Sequence, residues 1–326
     1  MGDSKPRINM NRILGVVVVV CLLGSGAMGQ SLGRLIAEPW NGNVCYQSYD
    51  HPVVESGGHV NGDSSDSQVF GWDSFGRIRF NPDDQQSPFV AYHLLTLGLG
   101  TDTPLFKTQM DEMSGVLGFH VGEFADWDTG VTIGGGYSST HPFVNESGVF
   151  KIAHLTAQKP IDARDSILVA VDYEGNNSLL PDTPIPGFAL LHRGEFYSFM
   201  AGYPDSYFAW TPKWNVKIAA LYEAPYTADI DLDYRMNKHY GFYGDVGNFF
   251  QGFVRSDSNI DHRQFFQMTR MELGLRCNFD PYWDGAIGFG YAFDQSVSNG
   301  YDIRDMRGVG HISNEPYLAL ILRGGF

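Results

Sequence analysis

Asp229, Asp231 and Asp233 stand at alternate positions of one segment, with Ile230, Leu232, Tyr234 and Met236 interleaved. On an extended chain successive side chains point to opposite faces, so this segment carries one acidic and one apolar face. The same division sets Lys217 and Glu223 against Val216, Ile218 and Tyr222. It sets Arg270, Glu272 and Arg276 against Met271, Leu273 and Leu275. Arg235 follows the aspartates in phase, and Arg323 alternates with Leu322. Gathered round a lumen, Lys217, Glu223, Asp229, Asp231, Asp233, Arg235, Arg270, Glu272, Arg276 and Arg323 have two roles open to them. They fill the interior with salt bridges, since half-buried charges need partners, or they form a polar eyelet that selects solutes by charge. The acidic triplet is a candidate cation site, and equally a set of partners for Arg270 and Arg276 across the lumen.

Other chemistries find less support. A serine hydrolase needs Ser and His together with a group that orients the His; the nearest fragments are Ser138-Ser-Thr-His141 and His239-Tyr240, and neither repeats a known constellation. Metal-ligand spacings such as H-x-x-x-H or C-x-x-C are absent. No catalytic residue, metal or other cofactor is therefore expected. The formal net charge of −15, without a basic stripe, argues against a nucleic-acid partner.

The elements that must position these charges are strands. After residue 214 the apolar face recurs in every segment, ending with Ile287, Phe289, Tyr291 and Phe293, then Leu318, Leu320 and Leu322. A soluble antiparallel sheet with one buried face gives the same alternation. Three features favour a membrane barrel: strands of about ten residues, aromatic residues such as Tyr222, Tyr234, Phe279 and Phe293 near the ends of the apolar faces, and the character of the two chain ends. Fourteen strands are placed between 88 and 326, with 187–212 the weakest stretch because Pro204 and Pro212 interrupt it. Merging two strands there leaves twelve. Long connections at 100–113, 139–148, 175–186, 254–263 and 295–314 fall on one side, and short ones, including the Pro212-Lys213 pair, on the other.

Lys5, Arg7 and Arg12 precede an apolar run from Ile13 to Leu23 and the small-residue site Ala27-Met-Gly29, which reads as a cleaved signal peptide over 1–29. Its removal moves the formal charge to −17. Residues 30–87 read as an N-terminal extension, a lumen plug or a further hairpin, and 88–326 as the barrel. Cys45 and Cys277 are too few for a disulfide-stapled scaffold, and Cys277 falls on the apolar face of its strand.

The signal peptide, alternating strands and terminal Phe326 resemble those of bacterial outer-membrane β-barrels. Leu180–Phe188 and Gly202–Phe208 resemble an uncharacterised family of such barrels from planctomycete-like bacteria. The resemblance implies an all-β, antiparallel up-and-down transmembrane barrel of about 12 to 14 strands in the outer membrane of a Gram-negative-type bacterium. It also implies Phe326 as the assembly signal, although Gly324 stands where that signal usually has a second aromatic residue. The partners implied are outer-membrane lipid and the barrel-assembly machinery. The expected function is a passive pore for a solute that the sequence does not identify, with a sealed structural or display barrel as the alternative. The protein should show heat-modifiable migration on a denaturing gel and β-rich circular dichroism in detergent; recovery in the soluble periplasmic fraction would end the barrel reading.

Overall fold

The computed structural model describes residues 46–55, 57–61, 66–81, 84, 86–141, 143, 146–224, 227–257 and 262–325. The signal-peptide segment, Cys45 and Phe326 lie outside them. The strands are β1 (Tyr46–Glu55), β2 (Gly58–Asn61), β3 (Asp66–Ser67), β4 (Val69–Arg79), β5 (Phe89–Leu99), β6 (Gln109–Phe124), β7 (Trp127–Ser139), β8 (Val149–Pro160), β9 (Asp165–Glu174) and β10 (Ile185–Arg193). They continue with β11 (Tyr197–Tyr203), β12 (Asp205–Lys213), β13 (Val216–Glu223), β14 (Thr227–Arg235), β15 (Tyr240–Val254), β16 (Arg263–Asn278), β17 (Trp283–Gly300), β18 (Arg307–Ile312) and β19 (Glu315–Gly325).

Sixteen of these form the wall of a closed barrel. Each pairs antiparallel with the next, and the circle closes where β1 pairs with both β4 and β19. The other three, β2, β3 and β18, extend the wall beyond one rim, β18 pairing with β17 and β2. The sixteen-strand count corrects the expectation of twelve to fourteen. The two further staves are β1 and β4, so the barrel wall begins at Tyr46 rather than at residue 88, and residues 46–79 are a hairpin rather than an extension or plug. Their signal was weak because Gly, Ser and Asp dilute the alternation. The stretch 187–212 holds three separate strands, which excludes the twelve-strand merger. Pro212 stays within β12, at the register shift between Trp210 and Lys213, where a residue lacking an N–H is tolerated. Part of the expected 295–314 loop is strand, because β17 runs on to Gly300 and β18 follows.

Both ends of the wall lie on one side, together with the short turns at 125–126, 161–164, 194–196, 214–215, 236–239 and 279–282. Most of the longer connections lie on the other side, together with the short links at Pro204 and 224–226, while 80–88 lies with the short turns. The wall is uneven in height: β17 has 18 residues and β16 has 16, whereas β11 has 7 and β13 has 8.

A one-layer barrel has only two faces, so burial separates them. The outer face carries the large exposed apolar side chains, among them Leu273 at 73 %, Ile287 at 67 % and Leu318 at 63 % exposed. Beside the short turns this belt ends in Phe80, Phe124, Trp214, Tyr240, Phe279 and Tyr282, an aromatic girdle of the kind found at bilayer interfaces. So large a contiguous apolar surface is a lipid-facing surface. Leu273→Arg, near the middle of the belt, should cost about 2 to 4 kcal/mol by placing a cation in hydrocarbon. Arg276→Leu should disturb only the interior pairing, so folding into lipid vesicles followed by gel shift should be impaired more by the first variant; the reverse order would mean that β16 is inside out.

Candidate functional site in the barrel lumen

The register gathers the interior charges on β13 to β19. Asp231, Asp245 and Glu272 sit side by side on β14, β15 and β16, and the next row holds Asp229, Gly247 and Arg270. Arg270 Nε donates to Asp245 Oδ1 at 3.0 Å and lies 3.9 Å, through Nη2, from Asp229 Oδ2. Arg276 pairs with Asp233 at 2.5 Å and stands 3.7 Å from Asp284. Glu272 accepts from the Tyr243 hydroxyl and lies 3.4 Å from the His51 ring. The Arg323 guanidinium stacks 5.4 Å from the centre of the Tyr49 ring. Lys217 and Glu223 are buried on the inner face of β13, and Arg235 is exposed at the lower end of β14. The carboxylates of Asp229, Asp231 and Asp245 converge, with candidate ligand atoms within 4.8 Å of one another. Asp233 turns instead to Arg276, so the sequence triplet divides. Arg270 and Arg276 lie on the next strand but one from the aspartates, and the pairing runs along the wall rather than across the lumen.

Glycines make this packing possible. A Cβ at Gly274 would stand 2.2 Å from Tyr243 Cε1 and 2.5 Å from the Ile287 carbonyl oxygen. Tyr243 therefore lies flat along the wall with its hydroxyl on Glu272.

Towards the rim of longer connections the lumen is filled. The wall is pinched there, so that β15 comes close to β6 and β7 across the interior. Phe249, Phe253, Phe266 and Met268 from β15 and β16 pack with Leu95, Leu97 and Met110 from β5 and β6, and with Phe106 and Ile312. Polar ties accompany this apolar seal. Glu112 Oε2 accepts from Asn176 Nδ2 at 2.6 Å and from Gln251 Nε2 at 2.8 Å. The Thr140 N–H donates to the Val254 carbonyl at 2.8 Å, and the Lys107 N–H to Gln264 Oε1 at 2.8 Å. At the rim, Asp257 accepts from Arg255 Nε and Nη2, each at 3.1 Å, and stands 2.9 Å from Lys107. The hydrogen bonds from Arg255, followed by that from Lys107, pull its carboxyl down to about 2.

Among the described residues a cavity of about 300 Å³ opens along β5 to β13. Leu168, Leu179, Ile185, Leu191 and Met200 supply apolar walls, and His120, Asp128, His154, Asp172, Glu174, Asp205 and Glu223 the charged ones. His154 Nδ1 is 2.7 Å from Asp172, and His120 Nε2 is 2.5 Å from Asp128. The hydrolase fragment does not assemble: the buried Ser138 hydroxyl has no hydrogen-bond partner, and the His141 backbone N–H donates to Ser139 Oγ at 3.2 Å.

No protein-family model matches the chain, and no curated protein matches it. Among solved structures, a TodX monoaromatic hydrocarbon channel with deletions is 10 % identical, with a TM-score of 0.44 over 95 % of this chain and 98 % of that one. A Pseudomonas aeruginosa FadL homologue is 10 % identical, with a TM-score of 0.37 over 86 % of this chain and 89 % of that one. An outer membrane channel from Pseudomonas putida F1 is also 10 % identical, with a TM-score of 0.35 over 86 % and 94 %. At such scores the barrel architecture stands on the strand pairing of this chain alone.

Sequence reasoning missed Asp245, Glu112 and the cavity residues other than Glu223. Asp245 alternates with Val246 and shares its face with Tyr243 and Gly247, and Asp172 and Glu174 alternate with Val171, so the period-2 signal was present in both segments. Gly274→Ala should cost about 1 to 3 kcal/mol by overpacking against Tyr243 and a backbone carbonyl. The temperature at which the folded band is lost on a gel should fall, and an unchanged temperature would show that the wall yields to a methyl group.

Proposed function

We propose that this protein is an outer-membrane β-barrel that passes small solutes, and that they travel by way of the β5–β13 cavity rather than along the barrel axis. The supporting observation is the contrast within one lumen: Phe249, Phe253 and Phe266 pack wall to wall beneath the rim, while an open space persists beside them. Sixteen strands of a wide porin leave an aqueous channel, whereas here the interior is largely occupied. The paired charges of β13 to β19 then brace the wall rather than select ions. The apolar belt is read as facing outer-membrane lipid, placed there by the barrel-assembly machinery. The resemblance to the uncharacterised planctomycete-like family rests on Leu180–Phe188 and Gly202–Phe208, which take in the start of β10, the end of β11 and the start of β12, all on the cavity side.

Planar-bilayer recording should give little steady conductance for the wild type. Phe253→Ala combined with Phe266→Ala should raise it several-fold, because removing each buried ring leaves a void at the seal. A large, steady wild-type conductance would overturn the off-axis route. Proteoliposomes that exclude every small solute tested would favour a sealed barrel.

A further inference from the structure

The rim of short turns is charged unevenly. The turns at 194–196, 214–215 and 236–239 follow one another round it. They are stitched together by the Thr211 N–H on the Phe196 carbonyl at 2.7 Å and the Arg235 N–H on the Asn215 carbonyl at 2.9 Å. These turns and the strand ends beside them carry Arg193, Lys213, Arg235 and Lys238, all exposed, against the single acid Glu195. No Asp or Glu stands between Asp205 and Glu223, or between Asp233 and Asp245. Successive hairpins lie two strand spacings apart, so the four cations spread over about 20 Å of rim. On the same rim the β6–β7 hairpin bears Glu123, Asp126 and Asp128 instead. In a chain with 37 acids against 22 bases, so local an excess of bases is unexpected.

Other exposed cations are answered by acids, as Lys107 is by Asp257 at 2.9 Å and Lys159 by Asp126 at 3.6 Å. Among the described residues Arg193, Lys213 and Lys238 form no such pair. The same turns also hold Trp214, Met236 and Tyr240, large apolar side chains that are all exposed. Trp and Tyr at the edge of an apolar belt sit at the level of the lipid head groups. Lys and Arg beside them lay their stems along apolar surface while the charge reaches outward. Short turns face the periplasm in barrels of this class. An acidic soluble protein would match the cations, but the apolar side chains set between them match acyl chains.

We infer that this sector of the rim, from β10 to β15, is a binding surface for anionic phospholipid of the periplasmic leaflet, with lipid phosphates held by Arg193, Lys213, Arg235 and Lys238. The surface is separate from the lumen, so it stands whether or not solutes pass.

The test is native mass spectrometry of the folded full-length chain in neutral detergent, offered phosphatidylglycerol or phosphatidylcholine with the same acyl chains. A cation close to an anionic surface is worth about fivefold in affinity. Phosphatidylglycerol should therefore be retained about tenfold more strongly, and the preference should fade in high salt. Arg193→Gln, Lys213→Gln and Lys238→Gln combined should reduce it to about twofold, while Lys159→Gln, on the acidic side of the rim, should leave it intact. Equal retention of the two lipids by the wild type would overturn the inference even if the triple variant misfolds, and so would a preference that the folded triple variant keeps. Glycerol phosphate, the head group without its tails, should compete weakly; competition as strong as that of the lipid would mean a site for free phosphate esters and not for a leaflet. Capture of polyglutamate with no preference between the lipids would assign the patch to an acidic protein and overturn the inference as well.

Discussion

The structure depends on the seam between its first and last staves. In hydrocarbon an unpaired backbone N–H or C=O has no water to turn to, so a sheet that faces lipid must leave no edge. Here β1 meets β19 in register from Gln47 opposite Gly325 to Glu55 opposite Tyr317. A barrel begun at residue 88 would lack the hairpin of β1 and β4 and would leave β5 and β19 to find one another directly. Closure thus requires the very segment whose sequence is least strand-like.

Once the sheet is closed, the interior must be filled from within, and the chain does so in two ways. Over β13 to β19 the inward side chains are charged and partnered, and glycines such as Gly274 give the larger rings room to lie along the wall. Near the rim the filling is apolar and draws on opposite walls, with the polar ties of Glu112 holding the same contact. Each arrangement pairs many of its buried polar groups, although atoms such as Asp231 Oδ2 and Gln251 Oε1 make no hydrogen bond. The cavity beside β8 and β9 is where this filling stops.

Much of the fold was legible because period 2 carries through a wall with unlike faces. The inward phase of Asp229, Asp231, Asp233, Arg270, Glu272 and Arg276 could be read residue by residue, since each is flanked by side chains suited to lipid. Strand number was not legible, because β1 and β4 mix Ser, Asp and Gly into both faces. Nor were the seal and the cavity. Which inward residues meet across a lumen depends on how far the barrel is pinched, and nothing local to Phe253 or Glu112 records that β15 approaches β6.

The uneven wall affects the surrounding lipid. At about 3.3 Å per residue and a tilt of about 40°, the 7 to 9 residues of β11 to β14 span about 20 Å, less than the apolar band of about 25 Å typical of such barrels. The 16 and 18 residues of β16 and β17 overshoot it. Acyl chains next to the low side must shorten or splay to meet it, drawing head groups down towards the Phe188 and Tyr203 side chains. The molecule should therefore sit in a dimple of its own making, thinned on one flank only, so that neighbouring proteins approach its two sides at different elastic cost.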